Sequence, residues 1–358
     1  MIKIIKDYIH KHSISLSVTV ICIYALFLRL AVLYRHTLWI DEIYYLGPLK
    51  GTFLEFIKAI PKAEFCSYLS GDLFIFYPFF KIFAYNKWGL AIPCVISSIL
   101  GFYLLFLICK RYLRSIWAYL ITFAIVAFNA TLINHATEIR TYIFLPTLAL
   151  AIFYVCLRIA DVNFQPVALK RAGVILTFIF VIWFHVYGII MFIVSFLFAL
   201  LSKIKDEDSG NYLKNAFSLV FVTLCFSMPF WLYCVFGPHL SYTELGINTF
   251  DYIPNPSQNI VGFLKSIFGN LIGYKKLYFM LLGIFVPFIF SYKDRYRQLL
   301  FFVIIIMLPI GLILASDVLQ KYWFIQRQFI WVMPLFAFFL GWTWDSFFAL
   351  LKQRFIKK

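Results

Sequence analysis

Long runs of apolar residues alternate with short polar segments along the whole chain. A bilayer core about 30 Å thick is crossed by roughly 20 apolar residues in a helix, because lipid leaves every backbone polar group to be satisfied within the segment. The pattern therefore predicts an all-α, polytopic transmembrane bundle of about ten spans, within a range of about 9 to 12. The runs are 13–34, 88–109, 116–134, 141–159, 172–187, 188–203, 215–236, 276–292, 299–316 and 329–350.

The form of three of these runs needs a further argument. The fifth and sixth meet at Tyr187-Gly188 and are short, so they form either two spans or one bent segment. The first run has a basic flank, as signal peptides do, but it is long and contains Arg29. We therefore expect it to be a retained helix rather than a cleaved leader.

Composition supports a membrane protein and excludes several other classes. The chain is 63% hydrophobic and 13% charged, whereas soluble domains average roughly 45–50% apolar and 25% charged residues. A disulfide scaffold is excluded because the 7 cysteines are an odd number and lie almost entirely within apolar runs. We interpret residues 1–358 as a single transmembrane domain.

The placement of charge predicts the topology. Basic residues cluster in the short connections on one side, for example at Lys110-Arg111 and at Lys203 and Lys205. Short basic connections lie in the cytoplasm, so both termini are predicted to be there. The net charge of +16 then reflects topology, and no nucleic-acid partner is expected because no basic helix or aromatic–basic platform accompanies it.

Two long loops, 35–87 and 237–275, lie on the opposite, outer side and contain much of the acidic content. Apolar residues in 51–60 recur with helical spacing, which predicts a helix in the membrane interface. Segment 71–85 is apolar but short and contains Pro78, so it is predicted to be re-entrant or interfacial. Short helices on one face suggest that the outer loops shape a cavity.

The first candidate site is the acidic pair Asp41 and Glu42, which directly follows the first membrane exit. Two carboxylates near an apolar rim can have raised pKa values, and one of them can act as a base. The alternative is that the acids and the neighbouring Trp39 and Tyr44 simply mark a helix end, where interfacial aromatic residues are common.

The second candidate is Arg140, in a very short outer turn at the level of the lipid headgroups. A guanidinium suits a pair of phosphate oxygens, although a snorkelling side chain would occupy the same level. Glu138 could orient Arg140, or could bind a metal together with His135, which lies three residues away on the same helical face.

Further candidates lie at the outer ends of other spans. His185 and Tyr187 end the fifth run, where a histidine either takes part in chemistry or bonds a neighbouring helix. Lys321 and Arg327 precede the last run and could hold a lipid phosphate or anchor the helix end. Arg29, inside the first span, must face protein, water or a headgroup.

Several other functions have no support in the sequence. Walker, dinucleotide-binding, zinc-binding and nucleophile-elbow motifs are missing from the chain. The predicted spans place no carboxylate at mid-membrane, which argues against a proton relay or an ion-coupled pump.

Taken in order, the motifs resemble the GT-C superfamily of glycosyltransferases that use polyprenyl-phosphate sugars, in the branch of protein O-mannosyltransferases and aminoarabinose transferases. The resemblance rests on an arginine in the first span, an aromatic residue before an acidic pair, a Glu-x-Arg-x-Tyr turn, a His-x-Tyr-Gly element and an arginine before the last span. These match Leu28-Arg29-Leu30, Leu38-Trp39-Ile40-Asp41-Glu42, Thr137-Glu138-Ile139-Arg140-Thr141-Tyr142, His185-Val186-Tyr187-Gly188 and Arg327.

The resemblance implies a GT-C-like fold and inverting sugar transfer at the outer face. Asp41 would accept the proton of an acceptor hydroxyl, and Glu42 would position the acceptor or Asp41. The cations expected on the lipid phosphate are Arg140 first, then Lys321, Arg327 and Arg29. The expected supporting residues are Glu138, Tyr142, His185 and Tyr187.

The implied partners are a polyprenyl-phosphate sugar, membrane lipids and an acceptor that could be a lipid, a glycan or a protein. No cofactor is certain, and a divalent metal is possible because some GT-C enzymes use one. The implied setting is a bacterial inner membrane and its cell-envelope polysaccharides. Two alternatives remain: a transporter or flippase of lipid-linked sugars, and a non-catalytic membrane subunit.

Overall fold

A computed structural model of the chain describes most of its helical part. The described residues are 2–38, 40–59, 71–159, 168–185, 187–203, 209–236, 261–262, 283, 287–289, 295–312, 315 and 326–356. The predicted span 276–292 and the loop 237–275 lie almost entirely outside the described residues, and so does Lys321.

Every regular element in the described part of the chain is a helix, as predicted. The helices are α1 (Ile2–Arg35), α2 (Ile40–Tyr45), α3 (Phe53–Ala59), α4 (Gly71–Phe83), α5 (Lys87–Tyr112), α6 (Ile116–Phe128), α7 (Ala130–Asn134), α8 (Leu145–Ile159), α9 (Ala168–Phe184), α10 (Tyr187–Lys203), α11 (Ser209–Phe236), α12 (Arg295–Phe301) and α13 (Val332–Ile356). Short 3-10 segments cover Gly47–Lys50, Thr141–Ile143 and Gln326–Trp331, and α12 continues as a π-helix over Phe302–Met307.

Five helical segments within the described ranges are long and apolar enough to cross a membrane. They are Ser13–Arg35, Lys87–Tyr112, Thr141–Ile159, Arg295–Leu312 and Phe329–Gln353. Four shorter apolar helices accompany them, within α6, α9, α10 and α11. The chain is therefore an all-α membrane protein, and the count of about ten spans stays a prediction.

The run 116–134, predicted as one span, is divided in two. Asn129 is extended, and its side-chain oxygen accepts a hydrogen bond from the backbone N–H of Leu132 at 2.9 Å, so it caps the start of α7. Asparagine favours such a position because its side chain replaces the missing backbone acceptor at a helix start.

The fifth and sixth runs form two helices, α9 and α10, rather than one bent segment. The rings of Phe178 and Phe192, seven residues before and after His185, lie with their centroids 4.7 Å apart. Two positions placed symmetrically about the connection meet only when the chain reverses direction. The two helices therefore form an antiparallel hairpin.

The main core lies between α6, α13, α1, α5, α8 and α10. At the crossing of α6 and α13, a Cβ on Gly341 would lie 1.9 Å from the hydroxyl oxygen of Thr122. Glycine is therefore needed for this close approach. Buried rings, including Phe301, Phe338 and Trp342, fill the space beside the crossing.

A second, smaller core lies beneath the first outer loop. Its buried residues come from the loop helices, from the start of α5, from segment 136–144 and from the end of α9; examples are Phe56, Phe76, Ile139 and Phe184. The loop helices are thus packed onto the polar turn that contains Arg140. Burial of this apolar surface positions the candidate site.

Candidate functional site

A lysine from the start of α5 binds the end of α1, just before α2. The Lys87 ammonium donates to the backbone carbonyls of Tyr34 at 2.9 Å and His36 at 2.7 Å. A cation at a helix C-terminus satisfies carbonyls that have no partner within the helix. The chain then turns directly into α2, which contains Asp41 and Glu42.

The Glu42 side chain ties α2 to the turn that precedes Arg140. It is fully buried. One carboxylate oxygen accepts a hydrogen bond from the Ile139 backbone N–H at 2.7 Å, and the other lies 2.9 Å from His36 Nε2. A buried carboxylate with these contacts is positioned to hold two distant segments together.

A second tie lies on the other side of Arg140. The Tyr45 hydroxyl donates to Oδ2 of Asp72, and the Thr141 hydroxyl donates to the same oxygen at 2.9 Å. The two hydroxyl oxygens lie 3.1 Å apart. Because each hydroxyl has a single hydrogen and gives it to the carboxylate, Asp72 is the group that joins the other two.

Asp72 is fully buried in the first turn of α4. Burial raises its pKa from 3.8 to about 6, because the charged form loses its hydration. The hydrogen bonds from Tyr45 and Thr141 favour the ionised form and oppose part of this rise. The carboxyl group therefore changes charge close to neutral pH.

Close packing fixes the start of α4 against the end of α9. A Cβ on Gly71 would lie 2.9 Å from the Phe184 Cα atom, so only glycine fits without a shift of one helix. Asp72 follows Gly71 directly, and His185 follows Phe184. The contact places both polar residues at the same end of the bundle.

Arg140 lies between the two ties. Its backbone is extended (φ −152°, ψ 163°), and its N–H donates to the Glu138 carbonyl at 2.9 Å. Its side chain is 16% exposed, and Nε lies 3.9 Å from a Glu138 carboxylate oxygen. The guanidinium is thus mostly shielded from water and close to one acid.

Glu138 also contacts the histidine three residues earlier. Its other carboxylate oxygen pairs with His135 Nδ1. Glu138 therefore lies between His135 and Arg140, and its role in orienting Arg140 stays a prediction. Within the described residues, no group of three or more His, Cys, Asp and Glu side chains is placed to hold a metal ion.

His185 and Tyr187 make mainly local contacts. His185 Nδ1 accepts the Tyr187 backbone N–H at 3.1 Å, so the imidazole caps the start of α10. The Tyr187 ring is buried in the main core, 4.8 Å from the His185 ring. Tyr142 is half-buried against the same core. These residues pack at the end of the bundle that contains Arg140.

Arg29 lies in a cleft lined by a different set of residues. Its guanidinium donates to the carbonyls of Ala25 at 2.9 Å and Val126 at 3.3 Å, and it lies over the Phe102 ring at 5.2 Å. The cleft is small, about 40 Å³, and mainly apolar, and it reaches Ile143 just beyond Arg140. It has room for a few water molecules.

The structure describes Asp41 and Arg327 by their backbones alone. Asp41 lies within α2, directly before Glu42, and its side chain is outside the described residues. Arg327 lies in the 3-10 segment Gln326–Trp331, which packs against Thr141–Ile143; its side chain is likewise outside the described part. The structure therefore brings the backbones of Asp41, Arg140 and Arg327 to one end of the bundle.

Sequence reasoning assigned no role to Asp72, Tyr45 or Thr141. Asp72 was one acid among several in the outer loops, and the pairing depends on how the loop helices fold. A usable signal does exist: Gly71-Asp72 opens an otherwise apolar helix. A carboxylate in such a place is either solvated or bound by donors from elsewhere in the chain.

Comparisons with protein-family models, with curated proteins and with solved structures found no match to this chain. The class established by the fold is an all-α membrane protein with a buried polar cluster at one end.

Proposed function

We propose that the chain is a GT-C-like membrane glycosyltransferase that moves a sugar from a polyprenyl phosphate to an acceptor hydroxyl. The site would lie at the outer face of a bacterial inner membrane. The short basic connections at the opposite side support this orientation, because such connections are typical of the cytoplasmic face. Cell-envelope polysaccharides are the class of product that fits this setting.

One observation carries the proposal: two residues of α2 are hydrogen-bonded, directly or through Asp72, to the residues on either side of Arg140. Glu42 bonds the Ile139 N–H, and Tyr45 is joined to Thr141 through Asp72. Asp41 precedes Glu42 directly, so its Cα lies within about 17 Å of the Arg140 Cα, given about 3.8 Å between consecutive Cα atoms. This upper bound is short enough for one sugar phosphate to contact both residues.

The proposed reaction needs one base and one anion site. Asp41 accepts the proton of the acceptor hydroxyl while that oxygen attacks the anomeric carbon. The bond between this carbon and the phosphate oxygen breaks, the sugar inverts, and the lipid phosphate leaves as an anion. The leaving phosphate needs a cation rather than a proton, and Arg140 supplies it.

Glu42 has a narrower role in this proposal than the sequence suggested. Because its carboxylate is fully buried and bonded to Ile139 and His36, it positions α2 rather than touching the acceptor. Arg327 is a second candidate for the phosphate, since its segment packs beside Thr141–Ile143. Arg29 is a candidate for the start of the lipid chain at the cleft near Ile143.

The test is sugar transfer from polyprenyl-phosphate hexose and pentose donors, measured in membranes at matched protein level. Asp41→Asn is expected to lower the rate by about 10²–10⁴-fold, the usual contribution of general-base assistance. Arg140→Ala is expected to lower it by about 10²–10³-fold. Arg158→Ala, at the far end of α8, is the matched control and should transfer normally.

Three outcomes would contradict the proposal. Normal transfer by Asp41→Asn would remove the base assignment, and normal transfer by Arg140→Ala would remove the phosphate site. A wild-type protein that transfers no sugar but moves a labelled lipid-linked sugar across vesicle membranes would be a transporter instead.

A further inference from the structure

The phosphate site proposed above depends on how the Arg140 turn is held. Arg140 makes its backbone hydrogen bond within the turn, to the Glu138 carbonyl. The residue that follows it, Thr141, opens a 3-10 segment and is buried. Its hydroxyl donates to Asp72 at 2.9 Å. The position of the turn is therefore coupled to a side chain 69 residues away.

The same aspartate also holds the helix that contains the proposed base. Tyr45 is the last residue of α2, and its hydroxyl donates to the oxygen that Thr141 uses. One carboxylate oxygen thus joins three segments: the end of α2, the start of α4 and the residue after Arg140. The Gly71 contact with Phe184 fixes the start of α4 in turn.

The chemistry of this junction favours positioning over direct catalysis. Asp72 is fully buried, so it has no path to an acceptor hydroxyl without rearrangement. Both hydroxyls donate to one oxygen of Asp72, and the negative charge that the carboxylate carries above a pH of about 6 strengthens both hydrogen bonds. Removal of the acceptor would leave the hydroxyls of the buried Thr141 and the half-buried Tyr45 without it.

We propose that Asp72 is a positioning residue for Arg140: it accepts the hydroxyl hydrogens of Thr141 and Tyr45 and so fixes the turn that presents the guanidinium to the donor's phosphate. This inference rests on the proposed function, because it needs a phosphate at Arg140. It adds a residue to the site and a route by which that residue acts.

The test is equilibrium binding of radiolabelled polyprenyl phosphate, without a sugar, to the purified full-length protein in detergent. Asp72→Asn keeps an acceptor oxygen but loses the charge that strengthens both hydrogen bonds, and Thr141→Val loses one donor. Each is expected to weaken binding about 3- to 10-fold, the loss typical of one or two weakened or misplaced hydrogen bonds. Thr141→Ser keeps the hydroxyl and should bind as the wild type does. Asp345→Asn, a buried carboxylate at the other end of the bundle, is the matched control and should also bind normally.

A double-mutant cycle separates positioning from a general effect on folding. If Asp72 acts through Arg140, Asp72→Asn should cause little further loss of binding in a protein that already carries Arg140→Ala. Side chains that act as one unit show this non-additive behaviour. A merely structural aspartate would instead give losses that multiply, and that result would overturn the inference.

The remaining outcomes distinguish this inference from the proposed function. If Arg140→Ala weakens binding while Asp72→Asn and Thr141→Val do not, the phosphate site stands and the role of Asp72 is wrong. If Asp72→Asn does not fold, the Thr141→Val and Thr141→Ser pair decides: equal binding by the two overturns the inference. If the wild type binds no polyprenyl phosphate, the proposed function and this inference are both wrong.

Discussion

Asp72 and Asp345 are both buried aspartates, near opposite ends of α5, and the chain uses them differently. Asp345 Oδ1 accepts the backbone N–H groups of Arg114 at 3.0 Å and Ser115 at 2.6 Å, just before α6 begins. Asp72 accepts from the side-chain hydroxyls of Tyr45 and Thr141. The first joins α13 to the start of α6 through backbone N–H groups, whereas the second joins three segments of the chain through side-chain hydroxyls.

The difference indicates which end of the bundle requires exact relative positions of its segments. A helix start can be satisfied by any good acceptor, including the capping Ser115 and Asn129 found elsewhere in the chain. A junction of two hydroxyls and a carboxylate works only if all three segments are in place. The end of the bundle that contains Arg140 is thus organised around its turn, while the end that contains Asp345 is organised around helix packing.

The largest expected effect concerns the pH dependence of stability at Asp72. Its pKa is raised from 3.8 to about 6 in the folded protein by burial, so folding favours the protonated form. The contribution of Asp72 to stability is therefore greatest below pH 3.8 and declines, by about 3 kcal/mol, as the pH rises to about 6. The difference in thermal midpoint between the wild type and Asp72→Asn should fall from pH 4 to pH 7. A difference independent of pH would contradict the buried placement of this carboxyl.

The next effect separates the two ties on the Arg140 turn. Glu42→Ala leaves the Ile139 N–H buried without its acceptor, which costs about 1–3 kcal/mol, and it should also lower sugar transfer about tenfold or more. Glu42→Gln keeps an acceptor and should lose less in both measurements. Thermal unfolding in detergent and transfer in membranes test this; equal behaviour of the two variants would contradict the contact.

A comparable loss of stability without loss of function is expected at Asp345, at the other end of the bundle. Asp345→Ala removes the acceptor for two backbone N–H groups and should lower stability by about 1–2 kcal/mol. At a temperature where the variant stays folded, its rate of sugar transfer should equal that of the wild type. A fall in rate as large as that of Glu42→Ala would mean that the two ends are not distinct.

The smallest effect is expected at Glu55, an acid of the same outer loop that lies outside the cluster. Its carboxylate caps α3 by accepting the Thr52 backbone N–H at 2.7 Å, and it is exposed. Glu55 is exposed whereas Glu42 is fully buried, although both acids lie in one loop. Glu55→Gln should match the wild type in transfer and in thermal midpoint within error; a clear loss of transfer would enlarge the site.

The helical fold could be predicted well because a long apolar run indicates by itself that the segment is a helix buried in protein or lipid. Helix α5 lies close to its predicted limits, and α1 ends one residue after its own, but α1 begins 11 residues before its predicted start and α13 ends six residues after its predicted end. The break at Asn129 was not predicted. An asparagine inside an apolar run can either continue a helix or cap a new one, and the run alone does not distinguish the two. The separation of α9 from α10 was left open for the same reason.

The candidate site was predictable in part. Asp41, Glu42 and the Arg140 turn could be proposed because each is a polar group at an expected membrane exit. Asp72 was not, because its role follows from contacts across 27 and 69 positions that only the folded loop creates. Its significance lies in its hydroxyl partners rather than in its own surroundings in the sequence.

The most direct test of the account is the distance between positions 41 and 140. Spin labels at Asp41→Cys and Arg140→Cys, in a protein without its native cysteines, should give a distance shorter than that between labels at 41 and Arg158→Cys. The difference should approach the length of α8, roughly 20 Å for its 15 residues. A 41–140 distance equal to or longer than the 41–158 distance would place the proposed base and the proposed phosphate site in different parts of the molecule and would contradict the account.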